Sequence, residues 1–162
     1  MDSALRSGLS RQVERLLASQ HQQWAIACYF HQLSMRRTAQ SFYDYAADDA
    51  ASIRTLVEHL GRKRLQPEIG PIASPQSTFE GGDAAMRLAM DVEMEGGAAL
   101  GVLLGRARAV SDLSVEQVIQ GLHEAHVMRL VSLRALSRII RRNADNPDGV
   151  EESLFRRARL GA

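Results

Sequence analysis

The chain is poor in the residues that mark a disulfide scaffold, a strand-rich fold or a membrane protein. Of its 162 residues one is cysteine, four are proline and 5% are aromatic. A lone thiol, Cys28, forms no internal disulfide and fits a reducing compartment and a packed core position. The longest apolar run, Ala98 to Leu104, is far below the roughly 18 to 20 residues that span a bilayer. Asp2, Arg6, Arg11, Glu14 and Arg15 interrupt the stretch where a signal peptide needs an unbroken apolar centre, so the expectation is a cytoplasmic chain with no membrane partner. Neither sign of charge dominates. Twenty basic residues stand against nineteen acidic ones, a net charge of +1, which gives no electrostatic footprint for nucleic acid.

What is present is helical periodicity. Pro67, Pro71, Pro75 and Pro147 all lie outside four long amphipathic stretches at about 4–31, 36–62, 83–109 and 113–143, and strand-like alternation is absent. The fold class is therefore all-α, in a single domain covering 1–162. Short turns join the first pair of helices around Leu33 to Met35 and the second pair at Ser111-Asp112, where Asp112 or Ser114 can cap the next helix. The middle connection, Leu65 to Gly82, holds three prolines and no periodic pattern, and a linker of that length suits a crossover running along a bundle. After a break at 144–149, Val150 to Leu160 reads as a short fifth helix.

Each long helix carries an apolar stripe broken near its middle by polar residues. The first runs Leu9, Val13, Leu16, Gln20, Gln23, Ala27, Phe30, and the second Phe42, Ala46, Asp49, Ile53, Leu56, Leu60. The third runs Met86, Met90, Glu93, Gly97, Leu100, Leu104. The fourth runs Val115, Ile119, Leu122, His126, Arg129, Leu133, Leu136, Ile140. Breaks at comparable depth place Asp49, Glu93, His126 and Arg129 in one internal cluster, with Gln20, Gln23 and Asp48 as weaker members. Buried carboxylates need a compensating cation, so either a metal ion held by Asp49, Glu93 and His126 or the Arg129 guanidinium belongs between them.

At this point the chain resembles the ferritin family, over nearly its whole length. The local signals are Tyr29-Phe30, Ser41-Phe42-Tyr43, Val57-Glu58-His59-Leu60, Leu154-Phe155 and Leu160-Gly161, in that order and spacing. The resemblance implies a ferritin-like antiparallel four-helix bundle with a long crossover between helices two and three and a short fifth helix. It also implies self-assembly into a 24-subunit shell that stores iron. Catalytic members hold two irons with a first-helix glutamate, a Glu-Glu-x-x-His run, a third-helix glutamate and a fourth-helix ligand. Here those positions fall on Leu16, on Asp48-Asp49-Ala50-Ala51-Ser52, on Glu93 and on His126. Leu16 and Ser52 replace a carboxylate and an imidazole, so the ferroxidase centre is degenerate and no catalytic residue is assigned.

The remaining motifs carry less. His123 and His126 lack the spacing of a zinc hydrolase. Haem is not expected, because the second helix contains no methionine, and Met86, Met90 and Met94 read as packing. Gly97, Gly101 and Gly105 suggest a close helix crossing or a bend beside Glu93. The arginine clusters read as solvated surface. The functional expectation is a shell subunit for iron storage or cage structure, able to share a mixed shell with a catalytic sister subunit. Its rivals are a residual metal-dependent ferroxidase or peroxide-detoxifying enzyme, and a cage that lost iron chemistry and serves as an interaction protein.

Overall fold

A computed structural model of the chain describes residues 3–144 and 146–160. They form α1 (Ser3–Gln32), α2 (Arg36–Arg62), α3 (Gly82–Ala109), α4 (Leu113–Arg142) and α5 (Pro147–Leu160). No helix among the described residues is long and apolar enough to cross a membrane. The Leu160-Gly161 signal is only half visible, since Gly161 lies outside the described residues.

The first three helices end in the same way. Met35 N–H donates to the Phe30 carbonyl and Ser34 N–H to that of His31, a Schellman closure repeated by Leu65 and Arg64 after α2 and by Asp112 and Ser111 after α3. The residue closing each turn is in the left-handed region without being glycine: Ser34 at φ 62°, Arg64 at 57° and Ser111 at 54°. Helix starts are also specific. Asp112 accepts from the Val115 N–H to cap α4. Pro147 opens α5 rather than preceding it, because a proline at the first helical position loses no hydrogen bond, and the Asn146 side chain accepts from Gly149 N–H. The fifth helix is therefore one turn longer than the reading from Val150.

α1 pairs with α2 and α3 with α4 as antiparallel hairpins, and α1 also packs along α3, while α2 and α4 touch little. The crossover strand lies against α1. Glu68 N–H donates to Ser10, Gly70 N–H to Glu14, and Gln22 and Gln76 exchange two hydrogen bonds of 2.8 and 2.9 Å. At the other end of α2, Glu151 of α5 accepts from Arg37 N–H, Thr38 N–H and the Thr38 hydroxyl, so α5 supplies the cap that α2 lacks.

The core divides into two apolar halves. One gathers Ile26, Phe30, Met35, Phe42, Met86, Leu133, Ile140 and Val150, and the other Leu5, Leu9, Leu16, Leu56, Leu60, Leu100, Ile119 and Leu122. Between them sits a polar layer. Cys28 is exposed on α1, not packed in the core, because the buried stripe turns past it through Ala27 and Phe30.

Candidate functional site

The polar layer takes one or two residues from each helix of the bundle. α1 supplies Ser19 and Gln23, α2 Asp49, α3 Glu93, and α4 both His126 and Arg129 three residues apart on one face. All six are buried. Arg129 Nη1 donates to Asp49 Oδ1 at 2.6 Å and to Glu93 Oε1 at 3.0 Å. The Ser19 hydroxyl donates to Asp49 Oδ2 at 2.6 Å, and Gln23 Nε2 to Glu93 Oε1 at 3.3 Å. His126 Nδ1 lies 2.6 Å from Glu93 Oε2. Each oxygen of both carboxylates thus has a protein partner.

The electrostatics follow from burial. Desolvation pushes the Asp49 carboxyl above its ordinary value, against the opposing pull of Arg129 and Ser19. Desolvation also works against the charge on Arg129, but Asp49 and Glu93 together outweigh it and hold the guanidinium above its usual range. The face of the Tyr45 ring lies 5.3 Å from the same guanidinium, adding a cation–π contact. Burial pushes the Tyr45 hydroxyl up, with Arg129 pulling the other way.

Two expected members lie elsewhere. Gln20 is half-buried and donates to the Ala46 carbonyl, and Asp48 is exposed, lining the groove between α2 and α4 rather than joining the buried layer. Ser19 takes the position assigned to Gln20, because the α1 stripe drifts by one residue at its centre. The sequence signal for it was the polar series Gln12, Ser19, Gln23 at helical spacing. Gln12 is fully buried, and neither of its amide atoms has a partner among the described residues, a state that costs about 1–3 kcal/mol.

The glycines also differ from expectation. A Cβ at Gly97, Gly101 or Gly105 would meet nothing within 4 Å among the described residues, so none of them marks a close crossing. The tight contact is at Gly96, where a Cβ would lie 2.8 Å from His126 Cε1. A hydrogen side chain at Gly96 is what lets the imidazole lie against α3 and reach Glu93.

The layer does not fit a metal ion. Among the described residues no three His, Cys, Asp or Glu side chains converge closely enough to hold one. The space between Asp49 and Glu93 contains the Arg129 guanidinium. Leu16 is packed in the apolar core and Ser52 is half-buried beside a groove between α2 and α4, so neither adds a strong ligand.

A family model for the ferritin-like domain matches residues 6–143. The chain belongs to the ferritin-like family. Two curated ferritin relatives, Ferritin BfrB from Mycobacterium tuberculosis strain Erdman and Bacterioferritin BfrB from strain H37Rv, are each 26% identical over 138 residues, covering 85% of this chain and 76% of theirs. Solved ferritin structures share the fold. A novel open pore ferritin from the archaeon Archaeoglobus fulgidus superposes with TM-score 0.87 at 13% identity, covering 95% of this chain and 97% of its own. A humanized archaeal ferritin superposes with TM-score 0.88 at 14% identity, covering 95% of each chain.

Proposed function

We propose that this ferritin-like chain is a shell subunit that surrounds iron as cargo without oxidising it at its own bundle centre. The observation that carries the reading is the Arg129 guanidinium, which donates to both Asp49 and Glu93 and supplies there the positive charge that metal ions would otherwise bring. Displacing it would leave a buried guanidinium without its two carboxylates, a cost that disfavours entry of weakly held ferrous ion into that space. Neither a ferroxidase step nor a peroxide-detoxifying step is assigned to this chain. Haem plays no part, since α2 carries no methionine.

Assembly is supported by apolar side chains left uncovered on the single chain. Trp24 is 52% exposed, Val102 59% and Met128 65%, on three different helices, as expected of a subunit that buries surfaces against copies of itself. In this reading 24 copies close a cytoplasmic shell, and a catalytic sister subunit sharing that shell supplies oxidised iron.

The test is a cryo-electron microscopy map of the particle together with iron-to-protein ratios for material grown in iron-rich medium, alone and co-expressed with a catalytic ferritin. The reading expects a 24-subunit shell, little iron when the chain is alone and substantial iron in mixed particles. A monomer would overturn the shell role. Iron-free mixed particles would favour the interaction protein instead.

A further inference from the structure

A cavity of about 210 Å³ opens between α1, α3, α4 and the crossover strand at Ala73 to Pro75. Its walls are largely apolar, formed by Leu16, Ala18, Val92 and Pro75. Gln12 also lines it, but both its amide atoms are fully buried and offer no polar contact to the open space. Ser19 is engaged with Asp49, and Gln22 with the backbone of Gln76. The polar atom left at the inner end is His126 Nε2. The imidazole is 8% exposed and uses Nδ1 on Glu93, while Nε2 has no partner among the described residues and, unlike the Gln12 amide, is not sealed off. Gly96 keeps it approachable, since a Cβ there would stand 3.6 Å from Nε2 within the cavity lining. The Ser74 hydroxyl has no partner among the described residues either, but Ser74, Arg15 and Glu95 are exposed at the rim, within reach of bulk water.

This lining restricts the ligand by size, charge and head group. Cavities of about 150 Å³ accept a benzene ring, so this one takes a single ring with one or two small substituents. A charged ligand would exchange its hydration for apolar walls and one nitrogen, a loss that a single contact does not recover. One free nitrogen calls for one polar atom at the inner end of the ligand. Glu93 Oε2 faces Nδ1, so Nε2 is an acceptor when the imidazole is neutral and a donor when it is charged. A hydroxyl both donates and accepts through one atom, so it pairs with Nε2 in either state, which a methyl or an ether does not. The rim residues make no such demand, because solvent satisfies them.

We propose that this cavity binds a small uncharged phenol, with its ring between the apolar walls and its hydroxyl on His126 Nε2. The crossover strand forms one wall, and the double hydrogen bond between Gln22 and Gln76 holds that wall against α1. The site is independent of iron and of the shell role.

The probe is phenol itself, measured by titration calorimetry on the assembled protein and by soaking crystals of it. The expected result is saturable binding of one molecule per chain with a Kd of roughly 1 mM or tighter. The soaked crystal should show the ring in the cavity and its oxygen within hydrogen-bonding distance of His126 Nε2. Ala18→Phe grows a ring into the cavity from a half-buried position on α1 and should abolish binding with helical content and particle size unchanged. Toluene has the shape of phenol without the hydroxyl. In His126→Leu, which removes Nε2, the ratio of phenol to toluene affinity should fall about tenfold. Where that variant fails to assemble, the soaked crystal and Ala18→Phe decide by themselves. The proposal is overturned by no saturable binding up to about 20 mM. Binding that survives Ala18→Phe, a ratio unchanged in His126→Leu, or crystals in which the cavity holds only water or a hydroxyl turned away from His126 overturn it equally.

Discussion

Arg129 on α4 spans the bundle to Asp49 on α2 at 2.6 Å and holds Glu93 on α3 at 3.0 Å with the same nitrogen. Three helices are therefore tied through one guanidinium. Removing a single partner from a buried ion cluster leaves an uncompensated charge and costs about 3–5 kcal/mol. Arg129→Ala should lose that much in chemical unfolding. The triple change Arg129→Met, Asp49→Asn, Glu93→Gln should lose far less, because it removes all three charges together. Equal stability of Arg129→Ala and the parent would dismiss the ion cluster.

Glu151 of α5 caps the start of α2 with three hydrogen bonds. Around it, the face of the Phe155 ring lies 4.7 Å from the Arg37 guanidinium. Glu151→Ala should release α5 and uncap α2, costing about 1–2 kcal/mol. Limited proteolysis should then cut between α4 and α5 well before any cut within α1 to α4. Unchanged resistance at that site would show that α5 is held by other contacts.

Gly96 and Gly101 lie on the same helix and should respond in opposite directions to alanine. At Gly101 the new methyl meets open space, and the substitution should stabilise the chain by about 0.5–1 kcal/mol through helix propensity. At Gly96 it would press on the imidazole of His126 at 2.8 Å, and overpacking of about 1–3 kcal/mol should exceed that gain. Thermal unfolding of the two variants checks the contrast.

Acid should weaken the fold in two separate windows. Burial, then the nearby Lys63 and Arg62, hold the His59 imidazole below its ordinary value of 6.5. The unfolded chain therefore takes up this proton first, and stability falls as pH drops below about 6.5. His59→Gln should flatten that slope. The second window belongs to Asp112, whose carboxyl is held down at about 2, first by its hydrogen bond from Lys63 and then by Ser114 and Val115. Its contribution is full above about 4 and is lost as pH falls through the folded-state value. Asp112→Asn keeps a competent cap, so it should cost about 1 kcal/mol at neutral pH and nothing below pH 2. Urea titrations across pH read both effects.

The legible parts of this fold are those where one physical rule acts alone. All eight stripe residues of α4, from Val115 to Ile140, are buried, because an amphipathic helix without glycine or proline at its centre has one way to turn. On α3 the periodicity is blurred by glycine and alanine. The buried positions there are Ala89, Gly96 and Leu103 rather than Met90, Gly97 and Leu104. Small residues carry little hydropathy signal, and only the imidazole from another helix reveals that Gly96 must be small. Ser19 was hidden for a related reason. A serine scores as neutral until a carboxylate such as Asp49 stands opposite. Glu151 could not be read as a cap either, since the N–H groups it satisfies lie more than a hundred residues earlier in the chain.

In the function proposed above, Arg129 stands between Asp49 and Glu93 where metal ions would otherwise bring the positive charge. Stopped-flow mixing of the purified assembled protein with about two ferrous ions per chain, in air, tests it most directly. The account predicts oxidation no faster than buffer alone, and no change on Glu93→Ala. A rapid burst stoichiometric with chains and abolished by Glu93→Ala would contradict it.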